Sequence, residues 1–255
     1  MKTTLIMVHG MWGGSWCWDN YIKFFSDKKY DCIPVTLRHH HLKPDHKPPA
    51  ELGATSILDY VNDTARLIEK LDHLPVLIGH SMGGLIGQIL ASHGLVDKLI
   101  LLAPAPPRRI NALYFSVVKS FLPLLIRGKF WKKPQKISYD NSEYAVFNQV
   151  PPECRREIYD KFVYESGKAA FQTGLWWLDV ERTTQVDENQ VECPVLIVTG
   201  TEDRMVPPAV ARKIAEKYKK VSTYMEFNHH AHWLVGEPGW EMIAGEIERW
   251  ISNIF

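Results

Sequence analysis

The chain has 255 residues, 45% hydrophobic and 23% charged, enough for one large α/β domain or two small ones with a sizeable core. A net charge of +1 gives no electrostatic reason to expect nucleic acid or an acidic partner. No apolar run approaches the length of a membrane span. The four cysteines, Cys17, Cys32, Cys154 and Cys193, lack C-x-x-C spacing, so free thiols in a reducing compartment are expected. The N-terminal apolar run is too short for a signal peptide and reads as a first strand, which makes the cytoplasm the expected address.

Thr4–Val8 is continuously apolar and predicts a buried strand. It runs into His9-Gly10-Met11-Trp12-Gly13-Gly14-Ser15-Trp16, where the glycines let the backbone turn closely past a ligand. The segment matches neither a phosphate-binding P-loop nor a full dinucleotide fingerprint. Residues 17–26 predict a helix and 31–36 a second strand. The following proline-rich stretch holds His39, His40, His41 and His46. Adjacent residues cannot all face one ion, and no cysteine or carboxylate stands at ligand spacing, so a solvated loop near a pocket mouth is expected rather than a metal site. Ser56 then predicts the cap of a helix whose apolar face is Ile57, Val61, Ala65, Ile68 and Leu71.

Residues 75–78 predict another buried strand. It breaks at Gly79-His80-Ser81-Met82-Gly83, and Leu85, Ile86, Ile89 and Leu90 then follow a helical period, with Gly94 as the expected C-cap. Strand, G-x-S-x-G and helix in that order form the context of a nucleophile elbow. Such a sharp turn strains Ser81 and tolerates only small residues two positions to either side, which accounts for Gly79 and Gly83. Ser81 is the candidate nucleophile. The backbone N–H of Met82, at the helix start, and that of Met11 are candidate donors to an oxyanion.

After a strand at 99–102 the strand–helix alternation lapses from about residue 105 to 191. Helical stretches and clustered aromatics replace it, and the reading is a helical cap over the site. The Arg127, Lys129, Lys132, Lys133 and Lys136 group follows an apolar run at 121–126. An interfacial anchor and a cap helix with one solvated basic face are both readings of it; the solvated face is expected. Alternation resumes with a strand at 195–199, a helix at 209–218, a strand at 221–227 and a closing helix at 238–250. The expected fold is α/β: a mostly parallel central sheet flanked by helices, with core segments 1–104 and 192–255 around a cap at 105–191.

A serine hydroxyl needs a base within hydrogen-bond reach, and the base needs a carboxylate to fix its tautomer. In this architecture the order is Ser, then Asp or Glu, then His, each after a strand. Asp203 fits, with Glu202 as its rival; Asp179 and Asp187 rank lower because no core strand precedes them. His232 is preferred to His229 and His230 because it lies deepest in its loop. Gly10, Trp12, His80, Trp176, Trp177 and Trp233 are the expected pocket residues.

Val8-His9-Gly10 with its Trp and Gly neighbours, Gly79-His80-Ser81-Met82-Gly83-Gly84, Gly200-Thr201-Glu202-Asp203 and Ala231-His232-Trp233 together resemble the α/β-hydrolase fold family over nearly the whole chain. The opening from His9 to Trp18 is similar to that of the plant methylesterase and hydroxynitrile lyase branch. The resemblance implies Ser81 as nucleophile, Asp203 as acid, His232 as base, and Met11 and Met82 as oxyanion donors. The departure is Ala231, where a glycine commonly precedes the histidine. Dehalogenases of the family carry an aspartate at the elbow, and its hydroxynitrile lyases have a lysine after the histidine. Ser81 and Trp233 argue against both. The expectation is a serine hydrolase of small to medium carboxylic esters, needing no metal or cofactor. Its partner is a small-molecule ester or lactone, with no nucleic acid and no membrane contact expected. Lactone opening, C–C bond hydrolysis, lyase chemistry and a non-catalytic ligand receptor are the alternatives, because fold alone does not choose among them.

Overall fold

The structure, a computed structural model, describes residues 2–253. Strand β1 (Thr4–Val8) is buried along its length and leads through a short 3-10 turn into α1 (Asp19–Asp27) and β2 (Asp31–Val35). Helix α2 (Ile57–Ile68) starts at a capping box: Ser56 N–H donates to Asp59 Oδ2 at 2.8 Å, and Leu58 N–H donates to Ser56 Oγ. The central unit is β3 (Val76–His80), α3 (Met82–Ser92) and β4 (Lys98–Leu102), with both strands buried throughout. Helix α3 ends where Gly94 takes φ +70°, and the N–H groups of Gly94 and Leu95 turn back to the carbonyls of Ala91 and Leu90.

Between β4 and the next strand lie α4 (Phe115–Leu125), α5 (Tyr139–Ala145), α6 (Pro152–Asp160) and α7 (Gly167–Gly174), joined by one antiparallel bridge between Gln135 and Glu165. The sheet resumes at β5 (Val195–Gly200), followed by α8 (Pro208–Lys217), β6 (Ser222–Phe227) and α9 (Trp240–Asn253). The buried core runs across this interruption: Val146, Phe147 and Phe162 pack in the same cluster as the strand residues.

The six strands are ordered β2-β1-β3-β4-β5-β6, and every pairing is parallel. From β1 the chain goes first to one side, to β2, and then to the other, to β3. The crevice above β1 and β3 is therefore the switch point where ligands bind in open α/β sheets. Val8 pairs with Gly79, so the loop after β1 and the turn after β3 leave the sheet side by side.

One local expectation fails. His40 is not in a solvated loop: it is 4% exposed, because Glu165 from the β4–β5 insertion reaches it with Oε2 at 3.1 Å from His40 Nε2. His39, His41 and His46 remain partly or fully exposed. No helix among the described residues is long and apolar enough to cross a membrane.

Candidate active site

Ser81 stands between β3 and α3 with φ 52° and ψ −116°, a conformation that costs roughly 1–3 kcal/mol for a non-glycine residue. The surroundings hold it there. Ser81 N–H donates to the Leu102 carbonyl at 3.0 Å, and Ala105 N–H donates to the Ser81 carbonyl at 2.9 Å. A Cβ on Gly79 would overlap the backbone of Gly83, and one on Gly83 would overlap the Val8 carbonyl. The small residues are thus demanded by backbone crossing backbone.

The side chain is met by two partners in series. His232 Nε2 lies 3.0 Å from Ser81 Oγ, and His232 Nδ1 lies 2.9 Å from Asp203 Oδ2. A carboxylate accepts only, so Nδ1 carries the proton and Nε2 is left to accept the serine O–H. Asp203 is fixed by its other oxygen, which receives the N–H groups of Met205 and Val206 at 2.8 Å each. All three residues are buried. Gly200 sets the two loops against each other, since a Cβ there would strike the His230 carbonyl.

The rivals have other tasks. Glu202 turns outward to Gln149 Nε2 at 2.5 Å and to His229. Asp179 accepts from Thr183 N–H and Oγ1–H at 2.7 Å, and Asp187 accepts from Asn189 N–H at 3.1 Å. His230 Nδ1 faces the buried Glu237 Oε1 at 2.9 Å, and the same oxygen takes the N–H of Ala231 at 2.8 Å. Glu237 therefore braces the loop just before His232. Sequence reading missed Glu237, since a glutamate seven residues from a histidine carries no motif.

The loop after β1 comes close enough that a Cβ on Gly10 would sit 2.9 Å from Ser81 Cβ. Its Gly10–Met11 peptide is oriented by a side chain that the motif contained but whose role sequence reading did not assign. Leu37 N–H donates to His9 Nε2 at 3.2 Å, so His9 carries its proton on Nδ1 and donates it to the Gly10 carbonyl at 2.8 Å. That carbonyl and the Met11 N–H belong to one planar peptide, so holding the first aims the second. Met82 is the first residue of α3, where N–H groups have no acceptor within the helix. Burial, reinforced by the nearby His40, pushes His9 down to about 3. Burial and the neighbouring His232 likewise push His80 down to about 3. Both rings are neutral at ordinary pH, and His80 donates from Nε2 to the His232 carbonyl at 2.8 Å.

Ser81 and His232 open into a cavity whose wall includes Gly10, Met11, Trp12, His80, Met82, Trp176, Trp177 and Trp233. The rest is largely aliphatic and aromatic, and no Asp, Glu, Lys or Arg lines it among the described residues. Trp233 is packed against Trp16, Phe147 and Phe162, with ring centroids 5.8 to 5.9 Å apart. Arg108 ties the far wall down by donating to the carbonyls of Trp176 and Asp179. No His, Cys, Asp or Glu cluster suited to a metal ion occurs among the described residues.

Comparison with known proteins agrees with this architecture. The chain is 25% identical over 227 residues to the uncharacterized hydrolase YugF of Bacillus subtilis, covering 84% of this chain and 77% of that protein. The solved methylesterase MES16 from Arabidopsis superposes with a TM-score of 0.74 at 14% identity, over 99% of this chain and 100% of that one. A pyrethroid hydrolase from Sphingobium faniae gives 0.71 at 16% identity, over 100% and 99%. At such identities these structures speak to the fold. Residues 5–240 match the model of the Alpha/beta hydrolase family, and the chain belongs to that family.

Proposed function

We propose that the protein is a carboxylic-ester hydrolase that works through an acyl-enzyme on Ser81. The observation that carries this reading is the series Ser81 Oγ, His232 and Asp203 at 3.0 and 2.9 Å, opening into an uncharged apolar cavity. His232 Nε2 takes the Ser81 proton as Oγ bonds to the ester carbonyl carbon, and Asp203 steadies the imidazolium. The carbonyl oxygen, now an anion, receives the N–H groups of Met11 and Met82. His232 then hands its proton to the leaving alcohol as the C–O bond breaks. A water, deprotonated by the same nitrogen, releases the acid and restores Ser81. No step calls for a metal or cofactor. A wall without charged side chains suits neutral esters with apolar acyl or aryl groups.

The test is hydrolysis of p-nitrophenyl esters from acetate to decanoate by the wild type beside Ser81→Ala and His232→Ala. Each substitution is expected to lower turnover by about four to six orders of magnitude. A folded Ser81→Ala protein with even a tenth of wild-type activity overturns the assignment. No turnover by the wild type on any chain length would point to a lactone, a C–C substrate or a receptor role.

A further inference from the structure

The insertion between β4 and β5 exposes apolar surface that its own cavity does not use. On α4, Val117, Phe121 and Leu124 line the cavity. Phe115, Leu122 and Ile126, on and just after the same helix, do not line it, yet they are 82%, 49% and 73% exposed. Trp131, Leu178 and Val180 are exposed as well. Leu113, Val118, Leu125 and Trp177 are both exposed and part of the cavity wall, so the patch is continuous with the mouth. The outer face of α4 thus carries exposed apolar side chains around one cation, Lys119, whose Nζ lies over the Tyr144 ring, and a contiguous exposed apolar patch marks an interaction surface.

Charge identifies the occupant. Residues 115–136 contain Lys119, Arg127, Lys129, Lys132, Lys133 and Lys136 and no Asp or Glu, in a chain whose net charge is only +1. Among the described residues, no carboxylate pairs with Lys129, Lys132 or Lys133, and all three are exposed. A symmetric contact with a second copy would set these cations against themselves. An anionic lipid surface takes both components: apolar and tryptophan side chains at the acyl boundary, lysines at the headgroups.

We propose that the α4 face docks on an anionic lipid surface, with Phe115, Leu122 and Ile126 inserted and Lys129, Lys132 and Lys133 at the headgroups. The mouth of the cavity then opens onto lipid. This deepens the ester-hydrolase reading by naming the phase from which a neutral ester reaches Ser81, though the docking itself does not depend on turnover.

Flotation with phosphatidylcholine vesicles, with and without phosphatidylserine, tests it, using the wild type and Ser81→Ala so that binding is read apart from catalysis. Both proteins should float with the phosphatidylserine vesicles and much less with the neutral ones, and added salt should weaken binding. The double variant Phe115→Ser/Ile126→Ser should bind about tenfold or more weakly. The triple variant Lys129→Glu/Lys132→Glu/Lys133→Glu should lose the preference for phosphatidylserine. Both variants should hydrolyse soluble p-nitrophenyl butyrate at the wild-type rate, which also shows that they fold. Three results overturn the proposal. They are flotation with neither vesicle, flotation unchanged in the double variant, and a dimer seen by ultracentrifugation that the double variant dissolves. Unchanged turnover in Ser81→Ala would instead sink the hydrolase reading and leave the flotation result standing.

Discussion

At Gly10 and Ser81 two backbones come within a methyl group of each other, and that proximity sets what each residue can do. The nearest atom to an added Cβ on Gly10 is Ser81 Cβ at 2.9 Å, so alanine there must shift either the serine or the Gly10–Met11 peptide. Losing one aligned oxyanion donor costs about 10²–10³ in kcat. Gly10→Ala is therefore expected to lose activity on that scale with a smaller change in KM, as steady-state kinetics on p-nitrophenyl butyrate would show. A rise in KM alone, with kcat unchanged, would mean that the peptide does not serve the reacting oxygen. The two adjacent carboxylates separate in the same assay. Asp203→Asn should cost about four orders of magnitude in kcat, because the wrong tautomer of His232 would face Ser81. Glu202→Gln should cost less than tenfold, since Glu202 faces Gln149 instead. The reverse pattern would transfer the acid's role. Ser81 and His232 were legible in the sequence because each sits in a short motif at the end of a strand. The choice of Asp203 over Glu202 was only an order-of-residues expectation there. The geometry behind it, two N–H groups from Met205 and Val206 turned onto one Asp203 oxygen, is a property of the folded loop.

Among the elements, the sheet and the helices that flank it could be read from the sequence, while α4 to α7 could not be read one by one. Strands β1, β3 and β5 are each built on a continuous apolar stretch because both faces are covered, and α2 carries a capped amphipathic stripe. Helix α4 has its polar positions, Ser116, Lys119 and Ser120, only in its first half and runs on through apolar residues and Pro123, so periodicity could not fix its extent. What fastens the insertion was invisible for another reason: Glu165 lies 125 residues from His40. Its Oε1 takes the Tyr60 hydroxyl at 2.7 Å and the Ser166 N–H at 2.6 Å, and its Oε2 faces His40. One carboxylate thereby joins the loop after β2, helix α2 and the insertion. His40 points both ring nitrogens at acceptors, Glu165 and the Arg38 carbonyl, an arrangement that favours its charged form. Removing one member of a buried pair leaves the other stranded, at about 3–5 kcal/mol. Glu165→Ala should lower stability by that amount in urea unfolding, with the slope unchanged. Adding His40→Ala should cost less than the sum of the two. A loss below about 1 kcal/mol, the scale of an ordinary hydrogen bond, would mean the insertion is fastened elsewhere.

For the molecule as a whole, three buried histidines set opposite slopes of stability against pH. His9 and His80 keep neutral rings, with pKa values pushed down from 6.5 to about 3, in both cases chiefly by burial. As pH falls below 6.5 the unfolded chain takes up protons at both positions while the native protein refuses them, so stability drops until about pH 3. Each group contributes up to about 1.4 kcal/mol per pH unit in that window. His40 runs the other way. Burial opposes its charge, but Glu165 outweighs burial and raises its pKa above 6.5. Its contribution is full below 6.5 and is lost as pH rises through the raised value. Stability should therefore peak near pH 6.5 and fall on both sides. The acid slope between there and about pH 5 comes largely from His9 and His80, because most carboxylates have not yet titrated. Urea midpoints across this range give the measurement. In His80→Gln the acid slope should fall by the share of one proton, and in Glu165→Ala the alkaline decline should vanish. An acid limb as steep in His80→Gln as in the wild type would place the sensitivity in other groups. The ring that packs beside His232 would then be no more than a spacer in the wall of the cavity.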